Sequence, residues 1–321
     1  MRVLVTGATG FLGSHVAASL VTAGHEVVVT LRASSDARWL AGLDVDRISL
    51  DLAAPARLPA ALEGIDAIVH AGGITRAARQ QEYQRINVDG TQALLALADA
   101  AGVERFVLIS SLAARGPDDG VGPTDAYGRS KLAAEVAAAE SSMAARVIAL
   151  RVGGVYGPRD TDLLPLFRLA RAGVLPVPKR VGPLQPVFVQ DVAALVSRVI
   201  AEPVSFGPWP VAAPWTYRWE QLPRLLATAV GRDVRPVPMP AAMFIAAAVG
   251  GTWIARMRAR APAFDLRRAR DIAARSYTCD VDQTEAATGW RACVDLPTGL
   301  ITTAHWYREQ GWLRPATSGP R

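Results

Sequence analysis

RVLVTGATGFLGSHVAASL, residues 2–20, passes from a β-rich apolar run through a glycine turn into a helix-favouring segment rich in alanine and leucine. Gly7, Gly10 and Gly13 recur every third residue at that junction. Without Cβ atoms there, the turn can be tight, a pyrophosphate can reach the backbone, and the helix can pack closely on the strand. The first amides of such a helix have no intrahelical partner and favour an anion. A glycine-rich turn that binds nothing satisfies the same spacing, so this stretch fixes a local fold and only suggests a phosphate site.

Working outward, the runs HEVVVTL (25–31), DAIVHAG (66–72), RFVLISS (105–111) and RVIALRV (146–152) alternate with helical stretches such as VDGTQALLALADAAG (88–102). That alternation predicts an α/β fold, a doubly wound parallel Rossmann sheet with ligands beyond the carboxyl ends of its strands. A length of 321 residues leaves room for one large domain and a smaller, mostly helical C-terminal part.

A net charge of +6 invites a nucleic-acid reading, but the arginines are spread along the chain and no aromatic-studded basic block gathers them, so none is expected to bind. Cys279 and Cys293 are too few for a disulfide framework, and a strand-like run begins at once without a signal peptide. A cytoplasmic protein without a metal site is expected. The run AAMFIAAAVGGTWIA (241–255), followed by RMRAR (256–260), is shorter than the roughly 20 residues that span a bilayer. It reads as a buried helix or as one making weak contact with a membrane surface.

DAYGRSKLAAE (125–135) opens another helix with Tyr127 four residues ahead of Lys131, one above the other on the same face. Alone, this pair is equally a chance pairing on a solvated helix. Together with the T-G-x-x-G-x-x-G turn, however, YGRSK resembles the short-chain dehydrogenase/reductase superfamily. It is most similar to the extended branch, which holds nucleotide-sugar epimerases and dehydratases, dihydroflavonol-reductase-like enzymes and 3β-hydroxysteroid dehydrogenases. HAGG (70–73), INVDGT (86–91), ISS (109–111), RVGGVYGP (151–158), VFVQDVA (187–193) and HWYREQGW (305–312) follow in that branch's order and spacing.

The resemblance implies a dinucleotide-binding domain over 1–157, with 182–206 returning to it, and a substrate-binding part over 158–181 and 207–321. It implies a catalytic triad of Ser111, Tyr127 and Lys131, with Ser110 as the second candidate for the hydroxyl. Reducing a carbonyl requires a proton at oxygen and a hydride at carbon. Tyr127 would supply the proton. A phenol titrates near about 10, and a neighbouring ammonium together with an oxidised nicotinamide favours its anion. Lys131 would also hold the nicotinamide ribose, while Ser111 would orient the substrate oxygen.

For the cofactor, the resemblance assigns Gly7, Thr9, Gly10, Phe11, Leu12 and Gly13 to the pyrophosphate turn. Ala71, Gly72 and Gly73 fall on the pyrophosphate and ribose side, and Asp51 and Leu52 beside the adenine. Val152 stands where a proline customarily meets the nicotinamide amide. Asn87 is expected to contact cofactor or backbone, or to be structural. After the second strand, Leu31 occupies the usual acidic position and Arg32 follows it, an arrangement suited to a 2'-phosphate. NADP is therefore expected over NAD, since Asp36 lies too late to serve the ribose.

Sugar-nucleotide members of the branch often carry an asparagine and an arginine for the diphosphate where this chain has Gly154 and Leu184. Trp209, Trp215, Met239, Met243, Phe244 and Trp253 form an apolar set from which a pocket wall can be drawn. The expectation is an NADP-dependent carbonyl reductase or alcohol dehydrogenase for a fairly apolar ketone or aldehyde. An epimerase or dehydratase with tightly bound NAD, and a non-catalytic dinucleotide-binding protein, are the alternatives. A homodimer is expected through the helices that follow Asn87 and contain Tyr127.

Overall fold

In the computed structural model, Val3, Leu4, Val5 and Thr6 are each 0 % exposed, as a strand covered on both faces requires. The structure describes residues 1–51, 62–118, 120–179, 181–202, 207–240, 243 and 277–313. From this strand, β1 (Arg2–Thr6), the chain passes through the glycine turn into α1 (Phe11–Thr22), then β2 (Glu26–Leu31), β3 (Val45–Ser49) and β4 (Ala67–His70). A short helix α2 (Gln80–Tyr83) runs through a π-helical turn (Gln84–Asp89) into α3 (Gly90–Ala100). After these come β5 (Arg105–Ser111), α4 (Leu112–Arg115), α5 (Ala126–Ala139) and β6 (Val147–Val152).

Among the described residues these strands form one sheet with Pro208–Val211, in the order Pro208–Val211, β6, β5, β4, β1, β2, β3. Every pairing is parallel. The strand order reverses between β1 and β4, which places a crevice at their carboxyl ends. The fold is thus a doubly wound Rossmann sheet. Pro208–Val211 carries two prolines, which an edge strand tolerates because one side of it needs no ladder bond.

Two compact units divide the chain. The first comprises Met1–Val155, Val189–Ala212 and Cys279–Ala292. Its core includes Leu4, Ile68, Leu94, Phe106 and Leu108. Ser19 and Ser197 share a 2.8 Å hydroxyl hydrogen bond between α1 and the helix Val189–Ala201. The second unit comprises Tyr156–Phe188, Ala213–Thr278 and Cys293–Arg321, and is built around Phe167, Phe188, Leu226, Leu300 and Tyr307. Tyr307 meets Phe167 edge-on at 5.0 Å and donates its hydroxyl hydrogen to Asp160 O. No helix among the described residues is long and apolar enough to cross a membrane.

Candidate active site

The glycine turn leaves room that any side chain would fill. Gly7 has φ +71°, and a Cβ there would lie 2.6 Å from Ala71 O, so turn and β4 loop approach backbone to backbone. A Cβ on Gly13 would fall 2.2 Å from Gly7 O, which only glycine avoids. Gly10 stands at the N-cap of α1 with no side chain to cap it, so the first amides of the helix are open to an anion. Thr9, Phe11 and Leu12, partly exposed, flank this cradle. The arrangement fits the pyrophosphate of a dinucleotide.

The loop after β4 is tied on both sides of Gly73. Gly72 N–H donates to Thr6 Oγ1 at 3.0 Å, and Thr6 Oγ1 lies 2.7 Å from His70 Nδ1. Ile74 N–H donates to Asn87 Oδ1 at 2.8 Å, while Asn87 Nδ2 donates to Ile74 O and to Ser130 Oγ, both at 3.0 Å. Asn87 is 2 % exposed and lies in the π-helical turn, a local widening that recurs at functional sites. A Cβ on Gly73 would meet Asn87 Oδ1 at 3.0 Å and Lys131 Nζ at 3.7 Å. This loop therefore runs beside both the glycine turn and Lys131.

The three residues that the resemblance assigns to catalysis lie on β5 and on the helix α5. Ser111 is the N-cap of α4, its Oγ accepting Ala113 N–H at 3.2 Å, so its own hydrogen can still be donated. Asp125 caps α5 by accepting Gly128 N–H at 2.6 Å. A Cβ on Gly128 would lie 2.4 Å from Ala113 O, so the first turn of α5, which bears Tyr127, abuts the first turn of α4. Tyr127 also packs against Tyr83, ring centroids 6.3 Å apart. One turn on, Lys131 Nζ donates to Ile109 O at 2.9 Å.

Part of the Lys131 stem remains accessible, but its ammonium is enclosed. That desolvation lowers its pKa from 10.5 to about 8, with Glu135 partly opposing the fall. Ser110 has a different task. Its hydroxyl donates to Glu135, whose carboxylate accepts Arg151 through Nε at 3.0 Å and Nη2 at 2.6 Å. This buried group fastens α5 to β5 and β6, and the two serines separate into one committed to the scaffold and one on the accessible edge.

The remaining candidates are more dispersed. Arg32 and Asp51 are exposed after β2 and β3, while Leu52 lies outside the described residues. Val152 is 4 % exposed at the end of β6, opposite Ser111 in the ladder. A Cβ on Gly154 would meet nothing within 4 Å. Leu184 exchanges two 2.7 Å backbone hydrogen bonds with Tyr217 and packs on the core of the second unit. Trp209 lies on the sheet strand Pro208–Val211, Trp215 and Met243 are exposed, and Met239 is half-buried. Phe244, Trp253 and the runs 244–255 and 256–260 lie outside the described residues.

Thr6, His70 and Thr91 were not singled out from the sequence. HAGG and INVDGT contain two of them, but a motif does not reveal which side chains meet across a core. The hint was a histidine inside an otherwise apolar strand, where a buried imidazole must find partners.

Residues 3–209 match the model of the NAD-dependent epimerase/dehydratase family, and the chain belongs to that family. It is similar to the ceramide reductase of Caulobacter vibrioides, 31% identical over 314 residues, 97% of this chain and 96% of the relative. It is also similar to the 2-alkyl-3-oxoalkanoate reductase of Stenotrophomonas maltophilia, 34% identical over 54% of this chain and 57% of the relative. Among solved structures, the dTDP-glucose 4,6-dehydratase DesIV of Streptomyces venezuelae, with NAD and TYD bound, superposes with a TM-score of 0.75. The two are 26% identical, and the match covers 98% of this chain and 99% of that one. The protein is an NAD(P)-dependent oxidoreductase of the extended short-chain dehydrogenase/reductase type.

Proposed function

We propose that this protein reduces a ketone or aldehyde on a fairly apolar, lipid-like substrate with NADPH, through Ser111, Tyr127 and Lys131. The observation that carries the reading is the convergence at the end of β5. There Ser111 keeps a hydrogen to donate, Lys131 is bonded to Ile109 O, and the turn bearing Tyr127 abuts α4. The cofactor supplies the hydride when bound. Ser111 Oγ–H donates to the substrate oxygen and fixes it. Tyr127 transfers its phenolic proton to that oxygen as charge builds there. The Lys131 ammonium steadies the resulting phenolate and holds the nicotinamide ribose. Gly7 to Gly13 would seat the pyrophosphate, Ala71 to Gly73 the ribose side, Val152 the nicotinamide amide and Asp51 the adenine. Arg32 grips the 2'-phosphate, which favours NADP over NAD.

The substrate class is supported by the ceramide reductase, aligned along nearly the full length of both chains, and by Gly154 and Leu184 in place of diphosphate contacts. The test is NADPH oxidation with a ceramide-like keto-lipid, a cyclic ketone and an aromatic aldehyde. Turnover of one of these without UDP-sugar binding is expected. The likeness to a dTDP-glucose dehydratase supports a second reading, a nucleotide-sugar enzyme with resident NAD. Micromolar binding of a UDP- or dTDP-sugar, with no net NADPH consumption, would put it first. A homodimer through α3 and α5 completes the proposal, because Val88, Leu132 and the 45 % exposed Val136 line a shallow groove there. Sedimentation of a monomer would remove it.

A further inference from the structure

The hydrogen bonds around the loop after β4 form a circuit whose direction is forced. Thr91 Oγ1 gives its single hydrogen to Asn87 O at 2.7 Å, so toward His70 it can only accept. His70 Nε2, 3.0 Å away, therefore carries the proton, and Nδ1 of the neutral ring is an acceptor. Thr6 Oγ1 donates to Nδ1 at 2.7 Å, and the same oxygen accepts Gly72 N–H. From Asn87 the path continues through its carboxamide to Ile74 on one side and to Ser130 on the other. Ser130 Oγ–H ends it by donating to Tyr127 O at 2.8 Å. Every hydrogen has one place to go, and reversing one bond would strand a buried donor against another.

The groups are sealed from water: Thr6 is 0 % exposed, His70 and Thr91 1 % each. Burial, with the nearby charge of Lys131, lowers the His70 pKa to about 3, so the ring stays neutral. The circuit ties together the pieces that the dinucleotide reading uses. Gly72 and Ile74 bracket Gly73, which lies against Lys131, and the backbone of Gly7 presses on Ala71.

We infer that Thr6, His70 and Thr91 are positioning residues for the dinucleotide, fixing residues 71–74 between the glycine turn and Lys131 and so setting where the nicotinamide ribose rests. This rests on the dinucleotide reading of the site. Thr91→Val keeps the shape of the side chain and deletes the acceptor of the His70 proton. Its dissociation constant for NADPH, from tryptophan-fluorescence titration, should rise about tenfold, the equivalent of one buried hydrogen bond. The loss should fall on the cofactor KM more than on kcat, and Thr91→Ser should restore binding to within about twofold, since it returns the hydroxyl.

Nitrogen NMR of the wild-type imidazoles needs no variant. It should show His70 protonated at Nε2 at neutral pH, with signals that shift when NADPH is added. Wild-type affinity in Thr91→Val, a proton on Nδ1, or His70 signals unmoved by saturating NADPH each overturns the inference. Failure of the wild-type protein to bind NADPH or NADH would instead remove the dinucleotide reading itself.

Discussion

The loops that leave β4 and β2 start from the same edge of the sheet and are built in opposite ways. After β4, Gly72, His70 and Asn87 are buried and their polar atoms bonded in one circuit. After β2, Arg32 is exposed, and the loop closes on itself through Arg32 N–H to Ser35 Oγ at 3.0 Å and Ser35 N–H to Arg32 O at 2.9 Å. Asp36, the acidic residue in that loop, is taken by Arg38. The contrast separates two tasks. In the proposed reading, what NAD and NADP share would meet fixed geometry, where a lost bond costs position. In the same reading, what distinguishes them would meet a long exposed cation, whose loss should cost selectivity and leave the frame intact.

The largest effect should come from the fixed side. Tyr127→Phe is expected to lower turnover at least about a hundredfold, as for the loss of a general acid. NADPH affinity should stay nearly unchanged, because neither the glycine turn nor the circuit involves the phenol oxygen. Single-turnover kinetics beside a binding titration would separate the two. Near-normal turnover would remove Tyr127 from the chemistry.

Arg32→Ala probes the open side. It should raise the NADPH dissociation constant about ten- to a hundredfold, matching a charge-assisted hydrogen bond of roughly 1.5–3 kcal/mol. NADH binding should hardly move, since that cofactor has no phosphate for Arg32 to lose. Equal weakening of both cofactors would show that Arg32 merely supports its loop, and the division of tasks would collapse.

The same contrast marks what the sequence could reveal. The glycine turn was legible because much of its spacing is a local steric requirement: Gly7 turns at φ +71°, and a Cβ on Gly13 would strike Gly7 O. The strands were legible for the same reason, since an apolar run such as RFVLISS needs no partner to be recognised, and the family followed from the order of such local patterns. Pro208–Val211 was hidden because its prolines mask an edge strand. The split between Ser110 and Ser111 became visible only through Glu135 and Arg151, distant in sequence and meeting in the core. His70 and Thr91 lay unread in quoted motifs for the same reason. Steric rules are written along the chain, whereas hydrogen-bond partners are chosen across it.

A pH titration sharpens the fixed side further. With the folded Lys131 near 8, its ammonium is charged below that pH and neutral above it. Above it, the Tyr127 phenol loses its cationic neighbour and the ribose loses a donor, so the reduction rate should fall several-fold as pH rises through about 8. Unfolding through this group is not the cause, and the sign shows why. Between about 8 and 10.5 the unfolded lysine binds a proton that the folded one does not, so its contribution to stability increases with pH across that window. A melting temperature at pH 9 held beside the rate would confirm the distinction. A rate that stays flat until pH 10 would mean that the ammonium is hydrated.

The smallest effect is expected at Gly154, which belongs to neither the circuit nor the Arg32 loop. An added Cβ meets nothing within 4 Å, so Gly154→Asn should fold with a stability change of no more than about 0.5 kcal/mol, as for a surface substitution. The new amide restores the residue type with which sugar-nucleotide enzymes of the branch meet a diphosphate. If the site takes an apolar carbonyl compound, that amide has no partner in the bound complex, and reductase kcat/KM should fall by a few-fold at most, through added volume and one poorly paired polar group. UDP-sugar affinity should remain negligible by calorimetry, because Leu184 still offers no charge for the second contact. Micromolar UDP-sugar binding created by this one change would mean that the rest of the diphosphate site is already present. The reductase reading would then yield to the epimerase one, because a site lacking a single amide has been built for a nucleotide sugar.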